Sequence, residues 1–483
     1  MRVSELARPA AGTDIGFAAR PVLTLGALVA LVQVAAGGFG GYWFDEAYML
    51  AIGRHHLAWG SADQPPLAPA LTAVSDWLAP GSLLVLRVPV ALATGGAVVV
   101  VALIAREFGG DRRAQLIAGA AQAGALWLTI AGHWLTPYSL EPVEWLLLIW
   151  LLVRWIRVRE DRLLVAVGAV AGVAMETKFQ VFLLCAVLFA SVAAFGPREL
   201  LRRRMLWVGV ALALALSLPT LVWQAANGWP QLRMGAVVAS ESEELYGGRP
   251  GVAVALIGMA GITGTVLCLY GLWQLLRRED LRPYRFLGVA TVALYVFFVI
   301  TVGRFYYLGG MYGPLFAAGA VGLQYRRLSG GRWAWLVWPA CVVNIATVVG
   351  MLLVADRATQ SDVPQAIAER TAEAYEALPP EDRARIAILG QSYIIAAYLD
   401  VYSPPGSLPN AYSTNRSYGY FSPPPESSTD ALYVGAPPDE LRPYFNLCRK
   451  LSDYGESQEQ WLCTGRNERW QIIWPRLRHL RMN

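Results

Sequence analysis

Lysine is almost missing from this chain: Lys178 and Lys450 are the only two, in a sequence whose lysines and arginines together number 40. Charged residues of both signs make up only 16% of it, and histidine occurs four times. Cysteine occurs five times, with no CxxC pair and no zinc-finger spacing, which excludes a zinc module and a thioredoxin-like redox motif. No GxxxxGK[ST] run is present, which excludes a P-loop nucleotide site. The glycines of "AGGFGGYW" follow an apolar run without the strand–turn–helix setting of a phosphate loop, and read as small-residue helix packing. No internal repeat with a period of roughly 20–50 residues is visible, which argues against a solenoid.

What remains is apolar. Hydrophobic residues make up 55% of the chain and tryptophan occurs 18 times, a composition that points to a polytopic membrane protein. Runs long enough to cross a bilayer, at about 20 residues each, fall at 21–41, 83–105, 114–131, 142–158, 163–176, 179–196, 205–223, 251–276, 286–302, 310–325 and 333–355. The first, preceded by Arg2, Arg8 and Arg20, reads as a retained span and not a cleaved signal peptide. Arginines cluster in every second loop, as at Arg112–Arg113, Arg157–Arg162, Arg202–Arg204, Arg277–Arg285 and Arg326–Arg332. The positive-inside rule makes those loops cytoplasmic and accounts for the arginine without nucleic acid. The expectation is about eleven transmembrane helices in a cytoplasmic (plasma) membrane. The N-terminus is then cytoplasmic and the C-terminal region outside.

After about residue 356 charge rises and helical stretches alternate with strand-like ones, such as "RIAIL" and "ALYVG". This predicts a membrane domain over 1–355, with a first outer loop at 42–82, and a small extracytoplasmic α/β domain over 356–483. Cys448 and Cys463 fall in that outer domain, where a disulfide is permitted; their spacing does not decide the pairing.

The unusual polar residues collect in the expected outer loops. Asp45 and Glu46 suit the start of a helix over 43–59 lying along the outer interface. Asp63 precedes Gln64-Pro65-Pro66, where the prolines fix the loop's path. His55 and His56 point about 100° apart on a helix, so the pair is a poor chelator. Glu141 and Glu144 share one helix face at the start of the fourth span. Lys178 lies between apolar runs, where a charge costs about 3 kcal/mol or more unless it meets protein, water or a counter-ion; Glu176 is a candidate counter-ion. Arg304, Tyr306 and Tyr307 flank an outer turn, a combination that suits an interfacial belt or a phosphate.

Together these motifs resemble the polytopic glycosyltransferases of the GT-C fold, in the branch of protein O-mannosyltransferases and lipid A aminoarabinose transferases. The resemblance runs in order through "FDEAYMLAIGRHHLAWGSADQPPL", "YSLEPVEW", "TKF", "WQAANGWP" and "RFYYLGGMYGPLFAAGA". It implies an inverting transfer of a sugar from a polyprenyl-monophosphate donor to an acceptor hydroxyl on a glycan, lipid or protein, at the outer face. It implies Asp45 as general base, Glu46 orienting the site and Asp63 as a second acid. Lys178, Arg304, Tyr306 and Tyr307 would meet the donor phosphate, and His56, Gln64 and Glu141 the sugar or acceptor. No metal ligands are assigned; the acids leave room for a divalent ion, for which a monophosphate donor gives little reason. Gln64 stands where the aminoarabinose transferases carry lysine, and Arg304 where lysine is common. The competing class is a transporter or flippase of a lipid-linked sugar, which would show inverted repeats and mid-membrane helix breaks. A scaffold displaying the outer domain would need neither the loop acids nor a lysine at depth.

Overall fold

The structure, a computed structural model, describes residues 15–330, 335, 337–359, 361–453, 455 and 458–481. Arg2, Arg8 and Arg332 lie outside them. The chain forms two compact units: one from residues 1–39, 83–218 and 238–357, the other from 40–82, 219–237 and 358–483.

The first unit is helical. Among the described residues, five helices are long and apolar enough to cross a membrane: Ala19–Ala36, Leu83–Glu107, Arg204–Ala226, Glu279–Ile300 and Val337–Val354. A sixth arises if Gly248–Gly258 and Ile262–Arg277, bent by 90° at their junction, count as one. Helices also occupy the expected spans at 142–158, 163–176, 179–196 and 310–325. These are shorter or more charged, so eleven spans are not reached on length and apolarity. The expected span 114–131 is broken. Its helix ends at Ala123 and a short second helix covers Leu126–Ile130, with Thr129 Oγ1 donating to the freed Ala123 carbonyl at 3.0 Å.

Small residues bring these helices close, at positions other than those expected. Gly37 ends the first helix and Gly40 adopts a positive φ of 76°, so the "AGGFGG" glycines terminate a helix. The close crossing is at Gly26 and Gly95, where a Cβ on Gly95 would stand 2.5 Å from the Gly26 carbonyl oxygen. Arg87, fully buried, donates to the carbonyls of Gly37 and Phe39 at 3.2 and 3.3 Å, satisfying acceptors where the first helix ends.

The second unit carries a five-stranded sheet of order β2-β1-β3-β5-β4. Its strands are β1 (Ile386–Gly390), β2 (Ala411–Tyr412), β3 (Asp430–Val434), β4 (Phe445–Ser452) and β5 (Gln460–Arg466). β1 runs parallel to β2 and β3; β5 is antiparallel to β3 and β4. All five β1 residues are buried, as expected for a parallel strand covered on both faces. Ile386 and Ile388 face one core together with Ala47, Tyr48 and Ile52 of the Phe44–His55 helix. Ala387 and Leu389 face the other, with Trp470, Ile473 and Trp474. Cys448 and Cys463 are cross-strand neighbours on β4 and β5 and form a disulfide.

The Phe44–His55 helix therefore differs from the interfacial helix expected at 43–59. It is shorter, and Glu46 through Gly53 are buried. The helix packs against Leu67–Leu78 and Tyr393–Tyr402. Its apolar residues do not form a stripe but occupy most of the circumference, so it belongs inside a core.

Candidate active site

The acids belong to the second unit. Asp45 sits in the first turn of the Phe44–His55 helix, half-buried, and Tyr393 Oη donates to its Oδ1 at 3.4 Å. Glu46 is fully buried, and its Oε2 accepts the Trp43 backbone N–H at 3.4 Å, one of the first-turn donors that helix geometry leaves free.

Asp63 is the centre of a polar network. Its Oδ1 accepts from Tyr48 Oη at 2.9 Å and from Ser417 Oγ at 2.5 Å. Its Oδ2 faces Gln64 Nε2 at 3.3 Å and pairs with Arg416 at 3.4 Å. The Asp63 side chain is only 3% exposed. Burial, then the Asp63 carboxylate, pushes the Tyr48 phenol well above its ordinary range, so it stays a donor. The Arg416 guanidinium also lies 4.8 Å from the Tyr393 ring centre, the ring whose hydroxyl reaches Asp45. Arg416 has a positive φ of 47°, rare for a side chain of this size, and its N–H is held by the His479 carbonyl at 2.8 Å.

The "WQAANGWP" stretch and the helical turn before it fix the same loop. Gln224, buried, donates to the Ser61 carbonyl at 2.9 Å, and Thr220 Oγ1 donates to that of Trp59 at 2.7 Å. His56 stacks on Phe421 with ring centres 4.1 Å apart. Burial, then His55, pulls its pKa down to about 4, so it is neutral at physiological pH. Its Nε2 is buried with no hydrogen-bond partner among the described residues.

The cations belong to the first unit. Lys178 ends the Arg162–Thr177 helix in extended backbone. Its Nζ lies 2.9 Å from Glu141 Oε2, and 4.8 and 4.7 Å from the ring centres of Tyr306 and Tyr307. Glu141, distant in sequence, is thus a counter-ion of Lys178. Thr177 Oγ1 donates to Glu144 Oε1 at 2.6 Å. Glu141 Oε1 and Glu144 Oε2 are buried without a hydrogen-bond partner among the described residues, a condition rare for buried polar atoms. Tyr306 stacks on Trp127 at 5.5 Å and packs against Tyr138. Arg304 pairs with Glu241 and lies 3.5 Å from Ser242 Oγ. Its turn is entered through Val302 at φ 51°, an outlier for a β-branched residue.

The sequence reading missed Tyr48, Tyr393, Arg416 and Ser417 around the acids, and Glu241 beside Arg304. Only "WQAANGWP" carried a readable signal among the supporting segments. Among the described residues, no three His, Cys, Asp or Glu side chains are grouped to hold a metal ion.

This helical body with a small sheet has the GT-C glycosyltransferase fold. Residues 63–223 match the family model of dolichyl-phosphate-mannose-protein mannosyltransferases. The chain is similar in structure to ArnT from Cupriavidus metallidurans in the apo state, with a TM-score of 0.66 at 16% identity over 92% of this chain and 97% of that one. The same protein bound to undecaprenyl phosphate gives 0.65 at 17%, over 91% and 97%. The oligosaccharyltransferase AglB from Archaeoglobus fulgidus, in complex with an inhibitory peptide and a dolichol-phosphate, gives 0.50 at 14%, over 86% and 69%. No curated protein matches the chain in sequence.

Proposed function

We propose that the protein is a membrane glycosyltransferase that moves a sugar from a polyprenyl-monophosphate donor to an acceptor hydroxyl on the extracytoplasmic face, with inversion at the anomeric carbon. The observation that carries this reading is Lys178: a rare lysine, largely enclosed, held between one carboxylate and two phenol rings beside unsatisfied carboxylate oxygens. Polyprenyl phosphates are bound by ArnT and AglB, and the mannosyltransferase family match includes Lys178.

An alcohol is a weak nucleophile and needs a positioned base. Asp45 takes that role, with the Tyr393 hydroxyl at its carboxylate and the positive end of the helix dipole beside it. Glu46 fixes the helix entry. Asp63, enclosed by Tyr48, Ser417 and Arg416, positions the loop and, through Arg416 and Tyr393, the base. The departing phosphate gains negative charge, and preorganised cations aimed at it lower the barrier. Lys178 and Arg304 supply those cations. Both are ion-paired here, so donor phosphate binding exchanges Glu141 and Glu241 for phosphate oxygens. Tyr306 and Tyr307 add hydroxyl donors. Oε1 of Glu141 and the Nε2 of neutral His56 accept sugar or acceptor hydroxyls, and Gln64 borders the same loop as His56.

The test is consumption of radiolabelled donors by purified protein in lipid. The panel contains polyprenyl-monophosphate sugars, a polyprenyl-diphosphate sugar and a nucleotide sugar. Release of polyprenyl phosphate from a monophosphate donor, and no turnover of the other two, is expected. Vectorial movement of an intact lipid-linked sugar without cleavage would replace this reading by the flippase.

A further inference from the structure

The sheet of the second unit has a cavity of its own, built as parallel sheets build ligand crevices. β1 lies between β2 and β3, both parallel to it, and the chain leaves the carboxyl end of β1 toward β2 on one side and that of β3 toward β4 and β5 on the other. That divergence is where open α/β sheets bind ligands. A cavity of about 160 Å³ opens there. Gln391 follows β1, Ser413 and Thr414 follow β2, Tyr433 comes from the end of β3, and Glu440 and His479 complete the polar wall. Leu389 and Leu477 give it an apolar floor.

The wall is held open by its own bonds. Gln391 N–H donates to the Val434 carbonyl at 2.9 Å, and its Oε1 accepts from Ala436 N–H at 2.7 Å. Gly435 is required beside it: its φ is +146°, and a Cβ there would stand 2.4 Å from Gln391 Cβ. His479 Nδ1 donates to the Leu477 carbonyl at 3.0 Å, which leaves Nε2 as its other polar atom.

The lining decides the ligand class. Asp439 and Glu440 line the cavity and no lysine or arginine does, so a phosphate or carboxylate is disfavoured. The start of the Tyr393–Tyr402 helix does not rescue an anion, because Tyr393 N–H is taken by Asn415 Oδ1 and Ile395 N–H by Ser392 Oγ. A volume of about 150 Å³ accommodates one six-membered ring. An amide, hydroxyls, carboxylates and a phenol ring over an apolar floor match a ring with hydroxyls at its edge and C–H groups on its face.

We infer that this cavity is a sugar-binding subsite that takes one neutral or amino sugar ring of the acceptor. The choice of a sugar over another polyol rests on the proposed transferase reading; the cavity does not. Its position links it to the acids: Ser413 and Thr414 line it, and Arg416 and Ser417, two or three residues on, hold Asp63. A ring seated there would be bound by the same segment that positions the loop.

The experiment is saturation-transfer NMR on the full-length protein in nanodiscs, with methyl glycosides of a neutral hexose, an amino hexose and a uronic acid. The neutral and amino glycosides bind and the uronate does not. Tyr433→Ala weakens binding by about tenfold or more, while Asp45→Asn, which leaves the cavity lining intact, does not change it. Glu440→Gln, on an exposed loop, keeps the neutral glycoside and weakens binding of the amino glycoside, and it carries the test should Tyr433→Ala lower the melting temperature. No glycoside binding to the wild type, binding untouched by both Tyr433→Ala and Glu440→Gln, or equal binding of the uronate overturns the proposal. Donor consumption is measured on the same preparation, so loss of the transferase reading and loss of the subsite are separate outcomes.

Discussion

Lys178 and Glu141, 37 positions apart in sequence, form an ion pair of 2.9 Å in which the side chains are 17% and 7% exposed. A pair this enclosed stabilises little by itself, but removing one partner takes away the short-range compensation of the other enclosed charge, at about 3–5 kcal/mol. Glu141→Ala should therefore lower the thermal stability of the detergent-solubilised protein sharply. Lys178→Ala should also cut donor kcat/KM by about 10²–10³-fold, the usual loss for one preorganised charge donor. An unchanged melting temperature in Glu141→Ala would show that the pair does not hold these elements.

Asp63 makes a different prediction. Its contacts are internal to its unit, with Tyr48, Ser417 and Arg416. Asp63→Ala removes the buried carboxylate shared by Arg416, Tyr48 and Ser417, and should destabilise the unit by about 3 kcal/mol or more. Its activity loss should track unfolding: residual turnover at low temperature should exceed that of a base variant. A fully folded, fully inactive Asp63→Ala protein would instead give Asp63 a direct part in the chemistry.

These two sites differ in how far the sequence revealed them. Lys178 stood out because lysine is nearly absent and a charge between apolar runs demands a partner. The partner did not stand out, because Glu176 and Glu141 are equally plausible on chemistry and only packing chooses. Asp63 was visible through the following prolines, yet Arg416 and Ser417 lie more than 350 positions away and carry no local pattern. The apolar runs gave most helices correctly. The break at Gly124 and the 90° bend after Gly258 were hidden, since hydropathy does not register where a helix changes direction. In the C-terminal region the buried strands β1 and β3 were legible as apolar runs. The edge strand β4, with a mostly exposed or half-exposed pattern, was not.

Asp400 should make stability depend on pH. Burial pushes its carboxyl up to about 7, against hydrogen bonds from Tyr418 Oη at 2.6 Å and Ala411 N–H at 2.7 Å. In the unfolded chain an aspartate titrates at about 3.9. Below about pH 4 both states hold the proton and Asp400 adds no slope. Between about pH 4 and 7 the folded state binds more protons than the unfolded one, so stability falls as pH rises, and the loss is complete above about 7, at no more than about 4 kcal/mol. Melting curves of wild type and Asp400→Asn should diverge through that window and run parallel above it. Parallel behaviour throughout would contradict this.

The disulfide between Cys448 and Cys463 closes a loop of 15 residues across β4 and β5. Replacing both cysteines by alanine should cost about 2–3 kcal/mol of stability in the sheet. Hydrogen exchange should show the loss first at β4, the edge strand. Equal protection of β4 with and without the bridge would argue that strand pairing alone holds it.

The most direct measurement compares wild type and Asp45→Asn in lipid vesicles supplied with a turned-over polyprenyl-phosphate sugar and an acceptor. The account predicts that transfer falls by about 10³-fold or more, as befits a lost general base, while donor binding and melting temperature are preserved. Transfer at the wild-type rate in Asp45→Asn would contradict it, and would reduce Asp45 to the cap of the Phe44–His55 helix.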